Sequence, residues 1–154
     1  MLKVGDQAPD FKLFDTQKKE ISLQDYKGKN LVVLFFPLAF TSTYTKELCS
    51  VRDDYSTYEQ LNAEVVGISV DSLFTLDRFK QEQNLNFPLL SDFNKDAAAA
   101  YGALYKDFVF GMKGVSKRAA FVVGEDGKIK YAEVLESAGD LPSFEGIKQA
   151  LSSN

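Results

Sequence analysis

The sequence feature that most restricts the fold is an unbroken apolar run, LVVLFF, at residues 31–36. Branched and aromatic side chains without polar alternation are typical of a strand that is buried on both faces. A similar run lies at residues 63–70, and between the two runs apolar residues recur at helical spacing through Leu61. Two buried strands joined by a helix predict a parallel βαβ unit, and therefore a sheet that is covered by helices.

The remaining segments extend this unit into a mixed sheet. The patterns predict a hairpin at residues 10–22, a helical turn at 22–28, a helix capped by Asp71 and Ser72, a short strand at 87–91, a helix at 96–101, hairpin strands at 118–123 and 129–134, and a last helix at 143–151. We therefore predict a single α/β domain over residues 1–154. Its expected architecture is a thioredoxin-like fold with a mixed central sheet, helices on both faces and an N-terminal hairpin.

Aromatic side chains are expected to supply much of the core, since the chain has 13 Phe and 7 Tyr and no Trp. This expectation includes Phe40, which follows the first apolar run. Residues 108–112 (FVFGM) are the exception, because they resemble an exposed apolar loop. Such a loop can mark a dimer contact, and a homodimer is therefore one option for this chain.

Charge and terminal sequence restrict the partners and the location. A net charge of −4 and a pI of about 4.9 oppose nucleic-acid binding, which needs a basic surface. The longest apolar stretch, residues 31–40, is too short to span a bilayer, so no membrane association is predicted. Residues 1–30 are charged throughout and the chain has one cysteine, which together favour a cytoplasmic location.

The absence of histidine removes whole classes of chemistry. Ser-His-Asp and Cys-His catalysis need an imidazole base, and one thiol is too few for a structural zinc site. Neither a GxGxxG nor a GxxxxGK[ST] motif occurs. We therefore predict no metal and no cofactor, and we expect any nucleophile to be activated by a helix terminus or by a nearby Lys or Arg.

Residues 37–49 (PLAFTSTYTKELC) follow the first buried strand and lead into the predicted helix. In open α/β sheets, binding sites form beyond the carboxyl ends of the strands. A helix start also presents unpaired backbone N–H groups and about half a positive charge, which lowers the pKa of a thiol placed there. A thiolate in this position can attack a peroxide O–O bond without help from histidine.

Several short motifs occur in order along almost the whole chain. They are VGDQAPDF at residues 4–11, PLAFTSTY at 37–44, Glu47, GISVD at 67–71, FPLLSD at 87–92, and Arg118 shortly before FVV at 121–123. With these motifs the chain resembles the peroxiredoxins of the AhpC/TSA type, and in particular the bacterioferritin-comigratory (Q-type) and one-cysteine bacterial groups. The family motif at residues 37–44 is P-x-x-x-T-x-x-C.

The resemblance implies a peroxidase that reduces hydrogen peroxide and organic hydroperoxides with a thioredoxin-like or small-thiol reductant. It implies that Pro37 shields the pocket, that Thr41 hydrogen-bonds the peroxide and that Arg118 polarises it. Glu47 would orient that arginine. Cys49 lies where Q-type members often carry their resolving cysteine.

The sequence departs from the family motif at its last position, where Tyr44 replaces the nucleophilic cysteine. A phenol has a pKa near 10, so forming mostly phenolate at neutral pH would cost roughly 4 kcal/mol. Oxygen is also a poorer nucleophile than sulfur toward O–O bonds. Cys49 should not substitute, because five residues along a helix rotate its side chain by about 140° and shift it by about 7.5 Å. We therefore expect no normal peroxidase turnover from this chain.

Plainer interpretations of the same residues remain open. Pro37 could simply end a strand, Thr41 could cap a helix, and Arg118 could be a surface charge. Glu47 could be an ordinary early-helix carboxylate, and Cys49 a small buried apolar residue. Two alternative functions follow: a non-catalytic binding module on a peroxiredoxin fold, or a lone redox-sensing thiol at Cys49.

Overall fold

The sheet is built around the two apolar runs. The computed structural model describes residues 2–137 and 139–152, except for the side chains of Ser42 and Tyr44. Within these ranges seven strands form one sheet: β1 (Lys12–Asp15), β2 (Glu20–Ser22), β3 (Asn30–Phe35), β4 (Ala63–Ser69), β5 (Leu89–Ser91), β6 (Arg118–Val123) and β7 (Ile129–Leu135). The runs at residues 31–36 and 63–70 supply the central strands β3 and β4.

The strand order is β2-β1-β5-β4-β3-β6-β7. Strands β3, β4 and β5 are parallel, with Val32 opposite Val65, whereas the remaining neighbours pair antiparallel. The predicted mixed sheet, N-terminal hairpin and C-terminal hairpin are confirmed. The carboxyl ends of β3 and β4 therefore lie side by side at one edge of the sheet.

Helices cover both faces of the sheet. The described residues form α1 (Ser42–Asp53), α2 (Tyr55–Gln60), α3 (Leu73–Gln83), α4 (Asp96–Ala100) and α5 (Phe144–Ser152). Val32, Leu34 and Phe36 face a core shared with α1, α2, α3 and α5. Leu31, Val33 and Phe35 face the opposite core, which includes residues of α4 and of the N-terminal segment. This alternation explains why the run at residues 31–36 has no polar position.

The single helix predicted through Leu61 is wrong, because the chain breaks at Asp54 into α1 and α2. Asp54 has φ −110° and ψ 15°, outside helical geometry. Its carboxylate accepts a hydrogen bond from the Thr57 hydroxyl (2.8 Å) and contacts the Lys148 ammonium from α5. A short polar side chain that finds local partners of this kind competes with a continuous helix.

Two further expectations need correction. Strand β5 begins at Leu89 rather than at Phe87, since Pro88 has no N–H to donate to a ladder. Phe40 is half exposed rather than a core residue, although its ring packs edge-on against Phe79 with centroids 5.1 Å apart. Residues 108–112 do form an exposed apolar loop, in which Phe110 is 97% exposed. Within the described ranges, no helix is both long and apolar enough to cross a bilayer.

Candidate active site

A small cleft lies where β3 ends and α1 begins. The chain leaves β3, turns through residues 36–41 and enters α1 at Ser42, with Thr41 in extended conformation at the N-cap position. The cleft has a volume of about 280 Å³, near the lower limit of small-molecule sites. Its lining residues are Pro37, Thr41, Thr43, Phe108, Val109, Arg118 and Gly139.

Arg118 and Glu47 form a buried charged contact beneath this cleft. The Arg118 guanidinium donates to Glu47 Oε2, and the two side chains are 1% and 0% exposed. Arg118 begins strand β6 and Glu47 lies in α1, so the contact joins the sheet to the helix. Arg118 is therefore not a surface charge, and Glu47 is not an ordinary solvent-facing helix carboxylate.

Burial dominates the electrostatics of this contact. It raises the pKa of Glu47 to about 7, while the charge and the hydrogen bond of Arg118 oppose that rise. Glu47 Oε1 is buried and has no hydrogen-bond partner among the described residues. A guanidinium keeps its proton in proteins. The cleft therefore retains a fixed positive charge at Arg118, which favours ligands that are polar or that develop negative charge.

The hydroxyl of Thr41 hydrogen-bonds within the loop and not to the helix. Its Oγ1 donates to the Leu38 carbonyl oxygen at 2.9 Å, and the described residues show no side-chain cap from Thr41 to α1. The hydroxyl oxygen still has lone pairs available to accept a hydrogen bond from a ligand. The interpretation of Thr41 as a simple helix cap is therefore not supported by its hydrogen bonding.

The loop that precedes α1 is sterically unusual. Pro37 is buried, and Phe40 adopts φ 68° in the left-handed region. A bulky aromatic residue in that region costs about 1–3 kcal/mol, and such strain is held only where the surroundings impose it. The ring of Phe40 rests on Phe79 of α3, which is one source of that restraint.

The two residues of the predicted redox site, Tyr44 and Cys49, occupy different parts of α1. Tyr44 is the third residue of the helix, but its side chain lies outside the part of the structure that is described. Cys49 is half-buried, and its thiol donates to Gln83 Oε1 on α3 at 3.5 Å. Cys49 is not one of the described residues that line the cleft. Cys49 therefore faces α3, and it stays a prediction that it cannot take the place of the residue at position 44.

The structure thus brings four of the predicted site residues together: Pro37, Thr41 and Arg118 line one cleft, and Glu47 supports the arginine. Sequence reasoning missed the cleft residues Thr43 and Gly139, as well as the role of the loop at 108–112, which supplies the lining residues Phe108 and Val109. The apolar character of that loop was visible in the sequence and marked it as a possible contact surface. Nothing in its residue types indicated that it would reach the end of β3.

Comparison with known proteins identifies the family. Residues 4–132 match the AhpC/TSA family. The chain belongs to this family. A protein of Mycobacterium tuberculosis (strain H37Rv), named "Putative peroxiredoxin Rv2521", is 41% identical over 134 residues, which cover 86% of this chain and 85% of the relative. Peroxiredoxin-2 of Bos taurus is 34% identical, over 96% of this chain and 75% of its own length.

Solved structures place the AhpC/TSA chain among thioredoxin-fold peroxiredoxins. Peroxidoxin BcpB from Mycobacterium tuberculosis superimposes with a TM-score of 0.83 and 29% identity, covering 99% of this chain and 96% of that one. A cysteine-to-serine mutant of PrxQ from Xylella fastidiosa gives a TM-score of 0.82 and 25% identity, with 98% and 96% coverage. The thioredoxin-like fold and the resemblance to peroxiredoxins that the sequence indicates are both confirmed.

Proposed function

We propose that this chain is a peroxiredoxin-type protein that binds peroxides in the cleft at the start of α1 but lacks the sulfur needed for normal turnover. The observation that carries the proposal is the buried Arg118–Glu47 contact, which presents a fixed cation beside Pro37 and Thr41. Membership of the AhpC/TSA family and the thioredoxin-like fold support a thiol peroxidase function in general. The residue at the nucleophile position of the family motif is Tyr44.

The proposed roles follow from the chemistry of peroxide reduction. In an active relative, a thiolate attacks one peroxide oxygen, the O–O bond breaks, and a sulfenic acid and an alcohol or water form. Arg118 would stabilise the charge that develops on the leaving oxygen, and Thr41 would orient the peroxide through its hydroxyl. Pro37 would exclude water from the cleft. Tyr44 would not perform the attack, because a phenol is almost fully protonated at neutral pH.

The proposed partners of the active form are a peroxide substrate and a thioredoxin-like or small-thiol reductant. The exposure of Phe110 supports a homodimer contact at the loop of residues 108–112. We propose one functional domain over residues 1–154, acting in the cytoplasm without nucleic acid, membrane, metal or cofactor.

The test is to restore the sulfur. Tyr44→Cys is prepared with Cys49→Ser, so that the introduced thiol is the only one, and is mixed with hydrogen peroxide in a stopped-flow instrument beside the unaltered chain. Oxidation is followed by intact mass. We expect the variant to gain oxygen rapidly and the unaltered chain to remain unchanged. A matched Tyr44→Ser, Cys49→Ser variant controls for removal of the aromatic ring without adding a thiol.

The other outcomes favour the alternative functions. If the restored thiol reacts no faster than a free thiol, the cleft is not adapted to peroxide and the non-catalytic binding module becomes the better explanation. If the unaltered chain is oxidised rapidly, Cys49 acts as a redox-sensing thiol, and a dimedone adduct at that residue would identify it. The contact between Cys49 and Gln83, away from the cleft, argues against this second outcome.

A further inference from the structure

The loop between β3 and α1 is tied to the neighbouring strand by one carboxylate. The backbone N–H of Ala39 donates to Asp71 Oδ2 at 2.8 Å, across 32 residues of sequence. The hydroxyl of Ser69 donates to the same oxygen at 2.7 Å. Both hydrogen bonds are short and have a carboxylate oxygen as acceptor, so they are among the stronger hydrogen bonds found in proteins.

Asp71 is itself held from two sides. Its backbone N–H donates to the Ser69 hydroxyl at 3.2 Å, and its carbonyl oxygen accepts from the Ser91 hydroxyl at 2.7 Å. Ser69 is the last residue of β4 and Ser91 is the last residue of β5, and these strands are parallel. The two serine hydroxyls therefore lie at the same edge of the sheet as the cleft. We call Ser69, Asp71 and Ser91 the loop clamp.

The loop clamp acts beside the strained residue of the loop. Ala39 directly precedes Phe40, whose φ of 68° is unfavourable for an aromatic residue, and Phe40 directly precedes Thr41. A conformation of this kind persists only where its surroundings impose it. Asp71 fixes the chain immediately before Phe40, and Phe79 contacts the ring of Phe40. Both contacts therefore act on the segment from which the chain enters α1.

We propose that Asp71 is a positioning residue for the peroxide cleft: by holding the Ala39 N–H it fixes the loop conformation that sets Thr41 beside Arg118. Asp71 is not among the described residues that line the cleft, so it acts through the loop and not by contact with the ligand. The inference rests on the proposed function, because it concerns the same cleft.

The test uses the Tyr44→Cys, Cys49→Ser protein as the parent, with Asp71→Ala or Asp71→Asn added. Two rate constants are measured for the introduced thiol, one with hydrogen peroxide and one with iodoacetamide, which needs no oriented donors. We expect Asp71→Ala to lower the peroxide-to-iodoacetamide ratio by about tenfold or more, in the range that follows a small misplacement of orienting groups. Asp71→Asn keeps an oxygen that can accept from Ala39 and should retain most of the ratio.

Ser72→Ala is the matched control. Ser72 adjoins Asp71 and accepts from the Thr75 N–H as the N-cap of α3, so its loss weakens the fold locally without freeing Ala39. We expect the ratio to be unchanged in this variant.

An equal fall in both rate constants with Asp71→Ala, or an equal loss of the ratio with Ser72→Ala, would overturn the positioning role while leaving the peroxide cleft in place. If the parent itself reacts no faster with peroxide than a free thiol does, the proposed function fails and this inference fails with it.

Discussion

In a variant that lacks Arg118, the stability of the protein should fall as pH rises, because Glu47 then titrates without a neighbouring cation. In an Arg118→Met variant the buried carboxyl group loses the cation that opposes the effect of burial, so its pKa must lie at or above the value of about 7 in the unaltered protein. In the unfolded chain the same group has a pKa near 4.3. Between these two values the folded variant binds more protons than the unfolded chain, and its stability therefore falls as pH rises.

The size of the effect follows from linkage. While the carboxyl group is protonated in the folded state and ionised in the unfolded state, each pH unit removes about 1.4 kcal/mol of unfolding free energy. From pH 5 to pH 7 the loss should be roughly 2–3 kcal/mol, or about 5–10 °C in melting temperature for a chain of this length.

The matched control is the Arg118→Met, Glu47→Gln double variant, which has the same cavity environment but no titrating group at position 47. Urea unfolding is followed by far-UV circular dichroism at both pH values, since the chain has no Trp for fluorescence. The difference in unfolding free energy between the two variants should grow in favour of the double variant as pH rises. A difference that is the same at pH 5 and pH 7 would refute the conclusion that burial controls Glu47.

Three further outcomes are expected. In the Tyr44→Cys protein, adding Thr41→Val should slow the stopped-flow reaction with peroxide by about one to three orders of magnitude, the range for loss of one preorganised hydrogen bond; an unchanged rate would remove Thr41 from the site. Gly67→Ala should lower the unfolding free energy by about 1–3 kcal/mol in urea, because a Cβ there would lie 2.8 Å from Leu89 Cδ2; no loss would mean that Leu89 moves freely. Cys49, half-buried against Gln83, should be alkylated by iodoacetamide more slowly in native protein than in urea, and equal rates would contradict its packing.

Local sequence patterns were sufficient to predict the elements in which the side chains share one kind of surroundings, such as a strand that is buried on both faces. Strand β3 is apolar at nearly every position because both of its faces are buried, and no other structure suits residues 31–36 as well. The β6–β7 hairpin follows from the EDGK turn between two apolar segments, where Gly127 has a φ of 81° that favours glycine. In such segments the local preference and the tertiary environment agree.

The features that sequence reasoning missed depend on contacts between distant parts of the chain. The break at Asp54 is stabilised by Lys148, which lies 94 residues away. An Asp-Ser pair ahead of a helix predicts an N-cap at either residue, and the structure uses Ser72 for the cap and Asp71 for the loop. Spacing along the sequence does not show which residue takes which role, because the deciding partner, Ala39, lies in the distant loop between β3 and α1.

The buried contact between Arg118 and Glu47 bears on the choice between a peroxide site and a simple binding module. Two buried charges cost several kcal/mol each to desolvate, and an apolar pair of similar volume is often equal or better for stability. The contact is therefore not explained by a need for stability. Its position does have a chemical explanation, because it fixes a guanidinium at a cleft bordered by Pro37 and Thr41. A module that only bound a partner through its surface would need no such charge beneath the start of α1, so this contact supports the proposed peroxide cleft over the binding module.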